Sequence, residues 1–238
     1  FSFHVKQGFM LSELPYYLIL GVFCGLVGLY FTRATIGIEK LYKKIGNKWI
    51  RMLVGGSILG ILIYFYPALY GEGYETVMAL LNAGTGVAPG KEIFGAVSTG
   101  FWSFTLLMAG LLLVKVVATA STNGAGGVGG IVAPVLFTGG VAGYFLSGLL
   151  NQLFGLALIE SSFTLAAMAG VFSAVLHAPM TAIFLIAEIT EGYGLLIPLI
   201  LTSTVAFITA RSFQKYSIYT EQLALSGDLI THNKDKAV

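Results

Sequence analysis

Apolar residues in this chain run in long blocks, without the one-sided stripe of a soluble amphipathic helix. The first block, residues 14–32, is long enough for the roughly 20 residues a bilayer core requires. Arg33 ends it, and Lys40, Lys43, Lys44, Lys48 and Arg51 follow as a basic stretch of the kind that marks a cytoplasmic loop. Residues 52–66 are a second block, closed by Pro67. From 70 to 90 the chain is glycine-rich and predicts only a short helix over 75–82. A third long block covers 93–119, with Lys115 inside it. A glycine-rich break, Asn123-Gly-Ala-Gly-Gly-Val-Gly-Gly130, then precedes blocks at 131–154, 163–175, 180–189 and 195–213.

Several of these segments, at about 11 to 16 residues, are too short to cross a bilayer. Backbone at membrane depth must satisfy its own polar groups unless it lines an enclosed or wet cavity. Short, broken helices there mark transporters that bind ions with helix ends. Close packing accounts for Gly21, Gly25 and Gly28, which share one helix face. It does not account for Gly126-Gly127-Val128-Gly129-Gly130, which no helix could contain. The expected fold is all-α, a polytopic membrane protein with broken, tilted helices of unequal length.

Composition strengthens this. Of 238 residues, 56% are hydrophobic and 10% charged, with mean hydropathy +0.86; soluble domains carry about 25% charged residues. No ordinary core buries such a surplus, so the bilayer is the expected solvent. A net charge of +2 without a dense basic cluster gives no reason to expect nucleic acid. Cys24, the sole cysteine, reads as a small packed residue and excludes an internal disulfide. No nucleophile–base pair and no metal-ligand spacing stands out, so neither an enzyme nor a cofactor is expected. Phe1 is not an initiator methionine and no charged leader follows it, so the expectation is a piece of a longer protein.

The candidate chemistry lies in Gly129-Gly130-Ile131-Val132-Ala133-Pro134. Paired glycines let the backbone turn sharply and approach a ligand. Pro134 suits a first helical turn, where a missing N–H costs nothing. The amides of Ile131 and Val132 then lack intrahelical acceptors and face a site of roughly +0.5 charge, which suits an anion without trapping it. The Lys and Ser/Thr of a phosphate loop are missing, so a nucleotide is not expected.

Gly130-Ile131-Val132-Ala133-Pro134 resembles the Gly-x-Phe-x-Pro signature of the CLC family of chloride channels and chloride/proton exchangers. Glu13-Leu-Pro-Tyr-Tyr-Leu-Ile-Leu-Gly21, Gly71-Glu-Gly-Tyr-Glu75 and His177-Ala-Pro-Met-Thr-Ala-Ile-Phe-Leu-Ile-Ala-Glu-Ile-Thr190 extend the resemblance over nearly the whole chain. It covers only the second half of a CLC subunit, without the half that carries the central serine and gating glutamate. The resemblance implies that chloride or a similar anion sits at Gly130, Ile131 and Val132, in a site shaped by Gly129 and Pro134, with a tyrosine hydroxyl as inner ligand. Counting forward from Pro198 reaches Ser217-Ile218-Tyr219 and nominates Tyr219. The alternative is an interfacial belt tyrosine, like Tyr216 or Tyr193. Val132 replaces the usual phenylalanine, which leaves the amide intact and opens the pore lining.

The resemblance further implies transport of chloride, as a voltage-gated-type channel or a chloride/proton antiporter. The alternative is an inverted-repeat secondary transporter of another anion, and a non-transporting scaffold has no use for broken helices. Implied partners are the anion, protons, the lipid bilayer, the N-terminal half of the same protein, and a second copy. The homodimer would use apolar faces on 14–32, 180–189 and 195–213. Residues 1–225 are expected to form the C-terminal half of the transmembrane domain, in the plasma (inner) membrane. Residues 226–238 would begin a linker to a cytoplasmic CBS region. Lys115 and Glu188, alone in apolar segments, are expected to form an ion pair or to snorkel, with a functional role as the alternative. His177 should sit at the membrane surface. His4 lies near the position of the exchangers' intracellular proton acceptor, although a loop histidine is the plainer expectation.

Overall fold

The computed structural model describes residues 10–82, 100–190 and 193–226. His4, residues 83–99 and the linker expected from 227 onward lie outside these. The described residues contain helices and no strand: α1 (Leu14–Lys43), α2 (Lys48–Phe65), α3 (Tyr74–Leu81), α4 (Phe101–Ala125), α5 (Val132–Phe154), α6 (Glu160–Leu176), α7 (Pro179–Ile189), α8 (Leu196–Phe213) and α9 (Ile218–Ser226). By length and composition, Leu11–Lys43, Lys48–Phe65, Phe101–Ala125, Val132–Phe154 and Tyr193–Ala224 can each cross a membrane. Helices α3, with 8 residues, and α7, with 11, are too short.

The breaks fall where backbone chemistry puts them. Pro67 ends α2 and starts a single 3₁₀ turn, Pro67–Leu69. Gly126 closes α4 and Gly155 closes α5, both left-handed, with φ of +100° and +62°. His177 closes α6 in the same conformation, φ +55°, and Pro179 starts α7.

Helix α6 is the hub, with residues 162–175 all buried between α5, α8, α1 and α7. Small residues make this possible. A Cβ at Gly139 of α5 would lie 2.6 Å from the Met168 Cα, so the α5 and α6 backbones touch there. The glycines of α1 work as expected: added Cβ atoms would meet Val205 Cβ at 2.7 Å from Gly21, Thr209 Cβ at 2.5 Å from Gly25, and Ala174 Cβ at 2.5 Å from Gly28. Much of α1 is therefore spent on α8 and α6. Leu18, Val22 and Leu26 of α1, Phe184 of α7 and Ile197 of α8 remain exposed.

Three expectations need correction. The basic stretch is mostly helical: α1 runs on to Lys43 and α2 starts at Lys48, which leaves only residues 44–47 as a loop. Lysine is a good helix former, and Lys40 and Lys43 are favoured at the negative end of the α1 dipole. The third apolar segment is shifted, since α4 continues into the glycine-rich break until Gly126 stops it. Helix α6 begins at Glu160, ahead of the expected start, because an acidic residue suits a first turn.

Candidate anion site

Helix α4 ends in a turn that Gly126 makes possible. The Gly127 N–H donates to the Thr122 carbonyl at 2.9 Å and the Gly126 N–H to that of Asn123 at 3.1 Å. The chain then passes Gly129 and Gly130 and turns into α5. Ile131 is the N-cap, and the first intrahelical bond runs from the Val135 N–H to its carbonyl at 3.0 Å. No side chain caps this end. The amides of Ile131, Val132 and Ala133 therefore have no acceptor within the helix, and Pro134 has no N–H to leave unpaired. Ala133 is a donor that sequence reasoning passed over, although the position of Pro134 could have shown it.

A cavity of about 710 Å³ opens on this helix start, with Gly129, Gly130, Val132 and Pro134 in its wall. The Ile131 side chain is buried, whereas Val132 is 40% exposed. A phenylalanine at that position would fill space that valine leaves open. The structure thus brings four of the nominated residues together on one cavity, whereas Ile131 is not part of its wall.

Tyr219 is placed differently. It lies in the first turn of α9, 45% exposed, and is not among the residues lining that cavity. Ile218 beside it is fully buried. The Ser217 hydroxyl accepts the Thr220 N–H at 3.3 Å, and the Gln222 amide donates to the Glu39 carboxylate of α1 at 2.9 Å. These contacts fix α9 and leave the Tyr219 ring facing outward from this chain.

The cavity also holds two charges, Lys115, for which the sequence favoured a structural role, and Glu72. Lys115 of α4 is 5% exposed, lines the cavity and makes no hydrogen bond or ion pair among the described residues. Its ammonium sits 4.4 Å from the centre of the Phe137 ring of α5. Glu72, ahead of α3, lines the same cavity. The signal available in sequence was a lone lysine in an apolar block. Of the two structural roles expected for Lys115 and Glu188, an ion pair or snorkelling, neither residue shows the ion pair among the described residues. Glu188 is exposed and accepts a hydrogen bond from the Tyr193 hydroxyl at 3.0 Å.

His177 lies between α6 and α7, edge-on to Phe207 with ring centroids 5.5 Å apart. Partial burial, and then the nearby Arg211 charge, hold its pKa below the ordinary histidine value.

The family profile described as voltage gated chloride channel matches residues 1–211. The chain is 33% identical over 204 residues to chloride channel protein CLC-e of Arabidopsis thaliana, covering 79% of this chain and 27% of that protein. It is 32% identical over 219 residues to the H(+)/Cl(-) exchange transporter ClcA of Vibrio campbellii, covering 90% of this chain and 43% of the transporter. Among solved structures, a slow cyanobacterial Cl-/H+ antiporter superposes with TM-score 0.73 at 25% identity, over 94% of this chain and 49% of that one. A CLC-type fluoride/proton antiporter shares the fold, with TM-score 0.69 at 22% identity over 92% of this chain and 49% of the other. The chain spans less than half the length of each of these relatives. A match that runs across residues 1–211, through the break that leaves the α5 amides free, makes this chain a member of the voltage gated chloride channel family.

Proposed function

We propose that this chain forms half of a membrane pathway for chloride or a similar small anion, and that the anion is held at the start of α5. The observation that carries this is the uncapped helix start, with free amides at Ile131, Val132 and Ala133 beside a cavity of about 710 Å³. Partial charges from backbone donors replace water around the ion and let it leave again, which a full charge in direct contact would not. Lys115 supplies that full charge at a remove, its ammonium held against the Phe137 ring. It raises the local anion concentration without becoming a direct ligand.

Tyr219 is the inner hydroxyl in this account. A neutral hydroxyl donates one hydrogen bond without a permanent charge. Its outward ring is suited to a surface completed by the N-terminal half of the protein. Channel and proton-coupled exchanger both fit this half-site. The names of the ClcA relative and of the cyanobacterial antiporter favour exchange of chloride for protons. The exposed apolar residues of α1, α7 and α8 favour a homodimer, and the plasma membrane with a cytoplasmic C-terminus is the location that the family resemblance implies.

The test is anion efflux from vesicles that hold the intact protein. Chloride release with opposed proton movement is the expected result. Release of neither chloride nor fluoride, from vesicles shown to contain folded protein, would contradict the proposal.

A further inference from the structure

The basic stretch between α1 and α2 takes no part in the anion site. Lys40 and Lys43 are accounted for by the end of α1. Lys48 and Arg51 are not, because Lys48 opens α2 and Arg51 follows one turn later. That end of a helix is positive and favours anions. Asn47 fixes the helix start, its side-chain carbonyl accepting the Trp49 N–H at 2.9 Å.

Lys48 and Arg51 line a cavity of about 530 Å³ whose far wall is the end of α4, at Gly126 and Gly127. The Arg51 Nε is buried and has no hydrogen-bond partner. Two cations lining one cavity at a positive helix end call for an anion rich in acceptor oxygens. Among the described residues no acidic side chain lines the cavity, so the ammonium of a zwitterionic headgroup would find no counter-charge there. The flank is apolar: Met52 lines the same cavity, and Trp49 is 75% exposed where α2 begins. Tryptophan at such a helix end suits the boundary between headgroups and acyl chains. The α1 end of the stretch also lies beside α9, through the Gln222–Glu39 bond.

We infer that the cavity between the start of α2 and the end of α4 binds the phosphate headgroup of an anionic phospholipid. Lys48 and Arg51 hold the phosphate oxygens, and the acyl chains run along the apolar face of α2. The inference is independent of the anion pathway.

The test uses the intact protein in vesicles of equal phosphatidylcholine and phosphatidylglycerol. The protein is extracted with its nearest lipid in polymer-bounded discs, and the lipid is counted by mass spectrometry. The wild type is expected to retain phosphatidylglycerol over phosphatidylcholine. K48Q and R51Q should each lower that preference by about fivefold, while the charge-conserving K48R/R51K should keep most of it. Equal retention of the two lipids by the wild type would overturn the inference without any variant. So would a K48Q/R51Q protein that keeps the wild-type preference, or one whose only change is weaker chloride binding, since the cluster would then belong to the ion path.

Discussion

The Lys115 ammonium lies 4.4 Å from the centre of the Phe137 ring, so a cation on α4 is steadied by the helix whose first amides face the same cavity. Phe137 is held in turn by α3, because Gly73, at φ +88°, packs against the ring where any Cβ would collide. For a separation of about 10 Å and an effective dielectric near 20, a unit charge contributes at most about 1.7 kcal/mol, and the Glu72 carboxylate on the same cavity offsets part of it. Lys115→Met should therefore weaken chloride binding, by up to about tenfold. Lys115→Arg should keep most of the affinity. Calorimetric titration of the intact protein separates the two outcomes, and unchanged affinity in Lys115→Met would remove the lysine from the site.

Tyr219→Phe deletes one neutral hydrogen bond, worth about 0.5–1.5 kcal/mol. Chloride binding should weaken by about three- to tenfold, and in an exchanger the chloride-to-proton ratio should loosen. The same titration checks the affinity, with paired flux measurements for the ratio. A Tyr219→Phe protein that matches wild type in both would leave Tyr219 an interfacial residue.

The space around each site predicts opposite outcomes for two glycines. Gly139→Ala places a Cβ 2.6 Å from the Met168 Cα, and neither backbone can yield. It should destabilise the protein by about 1–3 kcal/mol. Gly56, inside α2, has nothing within 4 Å of its added Cβ, so Gly56→Ala should stabilise by about 0.5–1 kcal/mol through helix propensity. Thermal unfolding in detergent should rank Gly56→Ala above wild type and Gly139→Ala below it.

His177 predicts a pH dependence. Its folded pKa is lowered, by partial burial and then by Arg211, so the unfolded chain binds the proton more readily. Stability from this group is complete above the ordinary histidine pKa of about 6.5 and is lost as pH falls below it. Asparagine tolerates the left-handed conformation that His177 adopts, with φ +55°. His177→Asn should therefore fold and flatten the loss on the acid side of neutrality. Melting temperatures across that range test this, and an equally steep acid loss in the variant would assign it to other groups.

Much of this architecture was legible because lipid leaves a simple trace in sequence. The long apolar blocks mark the spanning helices, and Gly129-Gly130 before Pro134 marks the helix start that carries the site. Gly21 and Gly25 gave the face of α1 that meets α8. What sequence concealed depends on distance. Nothing local reveals that Lys115 and Phe137 meet across two helices. The helical course of Lys40 and Lys43 was hidden because charge signals solvent and says nothing against a helix. Helix α9 was missed because it is short, and tertiary anchoring through Ile218 and Gln222 holds it in place.

The central claim is that the anion rests on the backbone amides at the start of α5. Crystals of the intact protein grown in bromide test it most directly, because bromide scatters anomalously and stands in for chloride. The account predicts an anomalous peak within hydrogen-bonding reach of the Ile131 and Val132 amides. That peak should persist in Val132→Ala and weaken in Tyr219→Phe. An anion path occupied elsewhere, with no peak at the α5 start or a peak only against the Lys115 ammonium, would contradict it.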